Sequence, residues 1–119
     1  MKLKNVFSLI IILLSVLIFY SCTFEGESTT LSSDDNDIHF LAEGKGNPAI
    51  ILVHGWSNNL TIWEPVIPKL SDEYRVIAID LPGSGQSGNV RSDWSMTAFG
   101  DDVVKVIQAL KIKDAVVAG

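Results

Sequence analysis

ILVHGWSNN, residues 51–59, runs from an unbroken apolar stretch into His54-Gly55 and then into polar turn formers. A short, continuous run of branched apolar residues suits a strand covered on both faces of a parallel sheet. Two similar runs follow, YRVIAID from Tyr74 and DAVVAG from Asp114, and IHFLAEG from Ile38 supplies a strand that ends at the turn GKGNP, residues 44–48. His39 lies in that first strand and is expected to be a half-exposed strand residue rather than a ligand.

Parallel neighbours need long crossover connections, and two helical patterns fill the gaps. In NNLTIWEPVIPKLSDE, residues Ile62, Trp63, Val66, Ile67 and Leu70 share one helical stripe. Pro65 fits an opening turn, whereas Pro68 predicts a late start or a kink. In SMTAFGDDVVKVIQALKIK, residues Met96, Phe99, Val103, Val106, Ile107 and Leu110 recur at helical spacing and should face the sheet. Asp101 and Asp102 toward its start and Lys111 and Lys113 at its end suit the helix dipole. Gly100 weakens this helix by about 1 kcal/mol relative to Ala, with close packing as the expected reason. The fold class is α/β, in the order β-β-α-β-α-β.

The strand YRVIAID runs into DLPGSGQSG, residues 80–88, where Gly83, Gly85 and Gly88 have the spacing G-x-G-x-x-G of a dinucleotide-binding loop. Such a loop opens straight into a helix, with an acidic residue about 20 positions on at the end of the next strand. Here NVRSDWS follows Gly88, the next strand ends at Ala118-Gly119, and Pro82 precedes the first Gly. The context excludes a nucleotide site.

An apolar strand, His-Gly and a large residue, a helix with a Trp, then a strand ending Asp-Leu-Pro-Gly-x-Gly-x-Ser: in this order, residues 37–119 resemble the α/β-hydrolase superfamily. The resemblance implies the N-terminal half of that family's sheet. It also implies that the loop after the ILVH strand supplies one backbone N–H of an oxyanion hole, here Trp56 N–H, with His54 and Gly55 in support. The donor must be main chain and rigidly held where negative charge develops. Gly55 is expected to allow a tight turn and leave room for a substrate oxygen. Ser57 and the Trp56 side chain are candidates for the pocket wall. His54 is not the expected base, because in this family the base follows the nucleophile in the chain.

Asp80, Gly83, Gly85 and Ser87 match the family's loop after the next strand and are read as structural. The Asp80 carboxylate should cap backbone N–H groups of the loop, and Gly83 and Gly85 should take backbone angles closed to other residues. Ser87 follows Gly85 at the right spacing, but Asn89 stands where a nucleophile elbow needs Gly.

That elbow, G-x-S-x-G, carries the family's nucleophile on a strained strand-to-helix turn. The string is absent from these 119 residues, and Gly119 stands where its first Gly belongs. The resemblance therefore places nucleophile, acid and base downstream. The 119-residue chain is expected to show no hydrolase turnover and to fold poorly, because a sheet ending at DAVVA leaves an apolar edge.

The start of the chain has a different character. MKLKNVFSLIIILLSVLIFYSC places Lys2 and Lys4 before an apolar run that reaches Tyr20, the layout of a secretory signal. The run falls short of the roughly 20 residues a spanning helix needs. Cys22, the only cysteine, follows it directly, so the segment resembles a bacterial lipoprotein signal, and acylation of Cys22 would anchor the protein in the cell envelope; the alternatives are an uncleaved anchor with an unmodified thiol, or secretion. The organisation expected is a signal peptide at 1–21, an acidic polar tether at 22–37 and a partial hydrolase domain at 38–119.

The chain carries 9 basic and 14 acidic residues, a formal net charge of −5. That balance speaks against a nucleic-acid partner, which needs a basic patch to neutralise phosphates. No metal cluster or cofactor motif stands out. The expected partners are a small acyl or ester substrate and the membrane. HGWS lacks the Pro common soon after His-Gly in branches that open epoxides or dehalogenate with an Asp nucleophile, so an ester-type serine hydrolase leads. The alternative is a noncatalytic, lipid-anchored binding or scaffold protein of the same fold.

Overall fold

The fold is given by a computed structural model that describes residues 26–32 and 36–119. The signal segment and Cys22 lie outside the described residues. Strands β1 (Glu27–Leu31), β2 (Ile38–Glu43), β3 (Ala49–Val53), β4 (Arg75–Ile79) and β5 (Ala115–Ala118) form one mixed sheet in the order β1-β2-β4-β3-β5. Strands β3, β4 and β5 are parallel, as their continuous apolar runs predicted. Strands β1 and β2 add to the β4 side as antiparallel neighbours.

Strand β1 corrects one expectation. ESTTL falls inside the stretch read as a solvated tether, yet it pairs along its whole length with β2, from Glu27 opposite Ala42 to Leu31 opposite Ile38. Its polar composition hid it, because an edge strand with one outer flank open to water needs little apolar content.

Side-chain parity divides the core into two layers, since successive strand residues point to opposite faces. Ile38, Phe40, Ile51, Ile77 and Ile79 pack with Val106 of the long helix α2 (Met96–Ala109). Leu41, Leu52, Val76 and Ala78 pack on the other face with Leu60 and Ile67. Val103, Ile107 and Leu110 join the first layer at the predicted helical spacing. Met96, at the start of the same stripe, is 84 % exposed. Ser95 caps α2, its hydroxyl accepting the Ala98 N–H at 3.2 Å. A Cβ at Gly100 would meet nothing within 4 Å among the described residues, so close packing does not account for that glycine.

The first crossover is less regular than its pattern suggested. A 3-10 turn spans Leu60–Trp63, and helix α1 covers only Ile67–Ser71, with Pro68 in its first turn. The late start anticipated from Pro68 is what the chain adopts. A broken helix cannot hold a single stripe, so Leu60 and Ile67 are buried while Ile62 and Val66 are exposed.

Candidate functional site

The site lies at the C-terminal ends of the parallel strands, where open α/β sheets bind ligands. Beyond Val53, the last residue of β3, the chain runs through His54, Gly55, Trp56 and Ser57 to Asn59, the cap of the 3-10 turn. Asn59 accepts the Thr61 N–H at 2.9 Å. Ser57 takes the left-handed conformation, φ +60°, where a non-glycine residue is uncommon. The tight turn expected at Gly55 is thus made by Ser57, two residues later. A Cβ at Gly55 would meet no described atom within 4 Å, so the space beside it is open.

Two contacts hold the ends of this loop. Leu81 donates its N–H to Nε2 of buried His54 at 3.0 Å. Nδ1 is therefore the protonated ring nitrogen, and it donates to the Gly55 carbonyl at 2.9 Å. With the Nε2 lone pair engaged by a backbone donor, His54 is not placed to take a proton from a nucleophile. At the far end, Leu60 N–H donates to Oδ1 of Asp80 at 2.7 Å. Between these anchors, Trp56 N–H has no acceptor among the described residues. Its side chain is 95 % exposed.

Asp80, at the end of β4 and 2 % exposed, organises the neighbouring loop. Its Oδ2 accepts the Gln86 N–H at 2.9 Å and faces Nδ1 of His39 at 2.8 Å. Ser87 donates its hydroxyl to the Asp80 carbonyl at 2.6 Å and accepts the His39 N–H at 2.8 Å. Gly83 and Gly85 have φ of +82° and +53°. A Cβ on Gly85 would lie 2.1 Å from Oδ2 of Asp80, so the loop wraps a carboxylate that leaves no room for a side chain. Gly83 N–H closes the loop on the Gly88 carbonyl at 2.8 Å, and no helix begins between Gly88 and Met96, which disposes of the nucleotide reading.

His39 departs from expectation. It is 4 % exposed and serves as a buried partner of Asp80 rather than a half-exposed strand residue. Parity carries the hint: His39 shares the face of Leu41, and Asp80 shares the face of Val76 and Ala78.

The two loops line a cavity of about 1080 Å³ with Trp94, Phe99 and Val103 of the segment that follows. Arg91 fixes this wall. Its guanidinium pairs with Asp102 of α2, both side chains under a tenth exposed, and lies 5.3 Å from the Trp94 ring centre and 4.9 Å from that of Phe99. The expected dipole pattern is not what α2 shows: its first turn holds no acidic residue and its last turn no basic one, and Asp102, in the second turn, is a buried anchor instead.

Asp93, at the entrance to α2, sits below the usual aspartate range, chiefly because its carboxylate accepts the Ser95 backbone N–H. Among the described residues no group of three or more His, Cys, Asp or Glu side chains could hold a metal ion.

Comparison with known proteins agrees with this arrangement. A family model described as alpha/beta hydrolase fold matches residues 48–119. An (E)-2-((N-methylformamido)methylene)succinate hydrolase of Acinetobacter baylyi is 32 % identical over 87 residues, 73 % of this chain and 33 % of that protein. A pimeloyl-[acyl-carrier protein] methyl ester esterase of Aliivibrio salmonicida is 40 % identical over 55 residues, 46 % of this chain and 21 % of the esterase. The Cif epoxide hydrolase of Acinetobacter nosocomialis superposes with a TM-score of 0.70 at 28 % identity, covering 82 % of this chain and 32 % of that structure. The chain spans a third or less of the length of each. A parallel β3-β4-β5 core, a His-Gly loop beyond β3 and a glycine loop beyond β4, matched by the family model across all three strands, place the chain in the alpha/beta hydrolase fold family.

Proposed function

We propose that this chain is the N-terminal, oxyanion-loop part of a hydrolase acting on esters or related acyl bonds. The observation that carries the reading is the backbone N–H of Trp56, which has no acceptor among the described residues, in a loop pinned at both ends by His54 and Asp80. A rigid N–H donor stabilises the oxyanion of a tetrahedral intermediate because it needs no reorganisation as charge develops. Gly55 leaves the approach open, and Ser57 and the Trp56 side chain border the cavity. In this reading the nucleophile, its base and the orienting acid are supplied by sequence outside these residues.

Membrane anchoring through an acylated Cys22 in a bacterial envelope completes this reading. It rests on the segment of residues 1–22 alone. Palmitate incorporation abolished by Cys22→Ala would support it, and equal incorporation in the variant would remove it.

The decisive experiment reads the coding frame past Gly119. An x-Ser-x-Gly continuation supports the acyl hydrolase. An Asp in the serine's place supports a second reading, favoured by the likeness to an epoxide hydrolase structure, in which the same loop serves an alkyl-enzyme mechanism. Neither residue in such a bend leaves a noncatalytic anchored protein. Saturable nitrophenyl ester hydrolysis by the 119-residue chain would contradict the assignment of the nucleophile to sequence outside it.

A further inference from the structure

Far from Trp56, three side chains form a hydrogen-bonded series: Ser28 Oγ lies 2.8 Å from Nε2 of His39, and Nδ1 of His39 lies 2.8 Å from Oδ2 of Asp80. We propose that Ser28 is a second, independent nucleophile that accepts acyl or phosphonyl groups from activated electrophiles.

The polarity of the series follows from its neighbours. Both carboxylate oxygens of Asp80 already accept backbone N–H groups, from Leu60 and Gln86, so the Nδ1 contact is donated by the ring. Nε2 then presents its lone pair to Ser28, whose hydroxyl donates to it. Serine donor, imidazole acceptor and a carboxylate orienting the far nitrogen are the roles by which an activated serine is recognised, whatever the order in the chain. Here that order is Ser28, His39, Asp80.

Exposure separates the parts as this chemistry requires. His39 and Asp80 are 4 % and 2 % exposed, which fixes the ring, whereas Ser28 is exposed on β1. Strand β1 is the sheet edge, and an edge strand turns alternate backbone N–H groups toward solvent, where they can meet a developing oxyanion. Ser87, the other hydroxyl of the network, has both roles filled, donating to the Asp80 carbonyl and accepting the His39 N–H. Ser28 is the hydroxyl paired with a base.

In the reaction, Ser28 Oγ bonds to the acyl carbon or phosphorus while its proton passes to Nε2 of His39. The bond to the leaving group breaks, and that group departs with the proton. Ser28 keeps the acyl or phosphonyl group, so the product is a single stable adduct. Two strands separate β1 from β3, placing Ser28 about 14 Å from the β3 line at ordinary strand spacing. The proposal therefore stands independently of the Trp56 reading.

An alkyl fluorophosphonate applied to the 119-residue chain tests it, with adducts located by peptide mass spectrometry. One adduct on Ser28 is expected, with fluoride as the leaving group. Ser28→Ala should abolish it, and Ser28→Thr, which keeps a hydroxyl on the same strand, should retain slow labelling. His39→Gln should slow labelling on the order of 100-fold, the scale of a lost general base. No adduct on Ser28, or equal rates with and without His39, would overturn the proposal. Labelling confined to a serine beyond residue 119 in a longer gene product would support the Trp56 reading and refute this one.

Discussion

Leu81 and His54 join the two loops of the site: the Leu81 N–H donates to Nε2 of the His54 ring, whose Nδ1 donates to the Gly55 carbonyl. One imidazole thus spans the loop beyond β4 and the loop beyond β3, and both of its nitrogens are used in doing so. His54→Ala leaves a part-buried N–H and a carbonyl without partners, at a cost of about 1–3 kcal/mol for an orphaned group. The urea midpoint of the chain should fall accordingly. An unchanged midpoint would show that the ring is not a structural clasp.

Two glycine substitutions should move stability in opposite directions. At Gly85, φ is +53° and a new methyl would stand 2.1 Å from a carboxylate oxygen of Asp80. The side chain cannot retreat without releasing Leu60, Gln86 and His39, so Gly85→Ala should cost about 2 kcal/mol or more, combining the left-handed penalty with disruption of the network. At Gly100, inside α2, a methyl meets nothing within 4 Å, and Gly100→Ala should add about 1 kcal/mol by helix propensity. Thermal unfolding of the pair checks both signs, and a shift in the same direction for both would refute the distinction.

The parallel core was legible because a strand covered on both faces is apolar along its buried length, as β3 is and as β4 is after Arg75; β5 is equally apolar although most of it is exposed at the sheet edge. Met96–Ala109 was legible through Val103, Val106 and Ile107, but the stripe said nothing of where burial would fade, and Met96 is exposed. Strand β1 was hidden because its stability comes from backbone pairing rather than from apolar residues. The DLPGSGQSG loop could be read for its glycine angles. Asp80 capping its own loop at Gln86 could be read as well, but its partners Leu60 and His39 lie 20 and 41 positions earlier, which the fold brings together and sequence spacing does not. Arg91 and Asp102 were opaque for the same reason.

Arg91 and Asp102 should prove strongly coupled. Their side chains are 8 % and 5 % exposed, and Lys105, at 3.6 Å, gives Asp102 only a partly exposed second cation. Arg91→Met strands a buried carboxylate and removes the cation from the Trp94 and Phe99 rings, at an expected cost of about 3 kcal/mol. Adding Asp102→Leu should recover much of that loss, because a buried pair is often replaceable by apolar groups of similar size. A double-mutant cycle on unfolding free energy measures the coupling, and additive effects would mean that the pair contributes little. Trp94 fluorescence should also change in Arg91→Met, since the guanidinium lies against its ring.

The oxyanion assignment makes a demand that side-chain truncation cannot meet. Trp56→Ala removes an indole that is 95 % exposed but keeps the backbone N–H, so any effect should fall on KM through the cavity rim. Trp56→Pro removes the N–H itself. The position does not have positive φ, so proline conflicts with no left-handed turn there. In a gene product that supplies the nucleophile, Trp56→Pro should lower kcat on the order of 100- to 1000-fold, as expected for loss of one oxyanion donor. KM should stay near that of Trp56→Ala, because the ground-state carbonyl draws less on the donor than the tetrahedral oxyanion does. A proline variant that turns over as fast as the alanine variant would place the donor elsewhere in the loop, with Ser57, at φ +60°, the next backbone N–H to test.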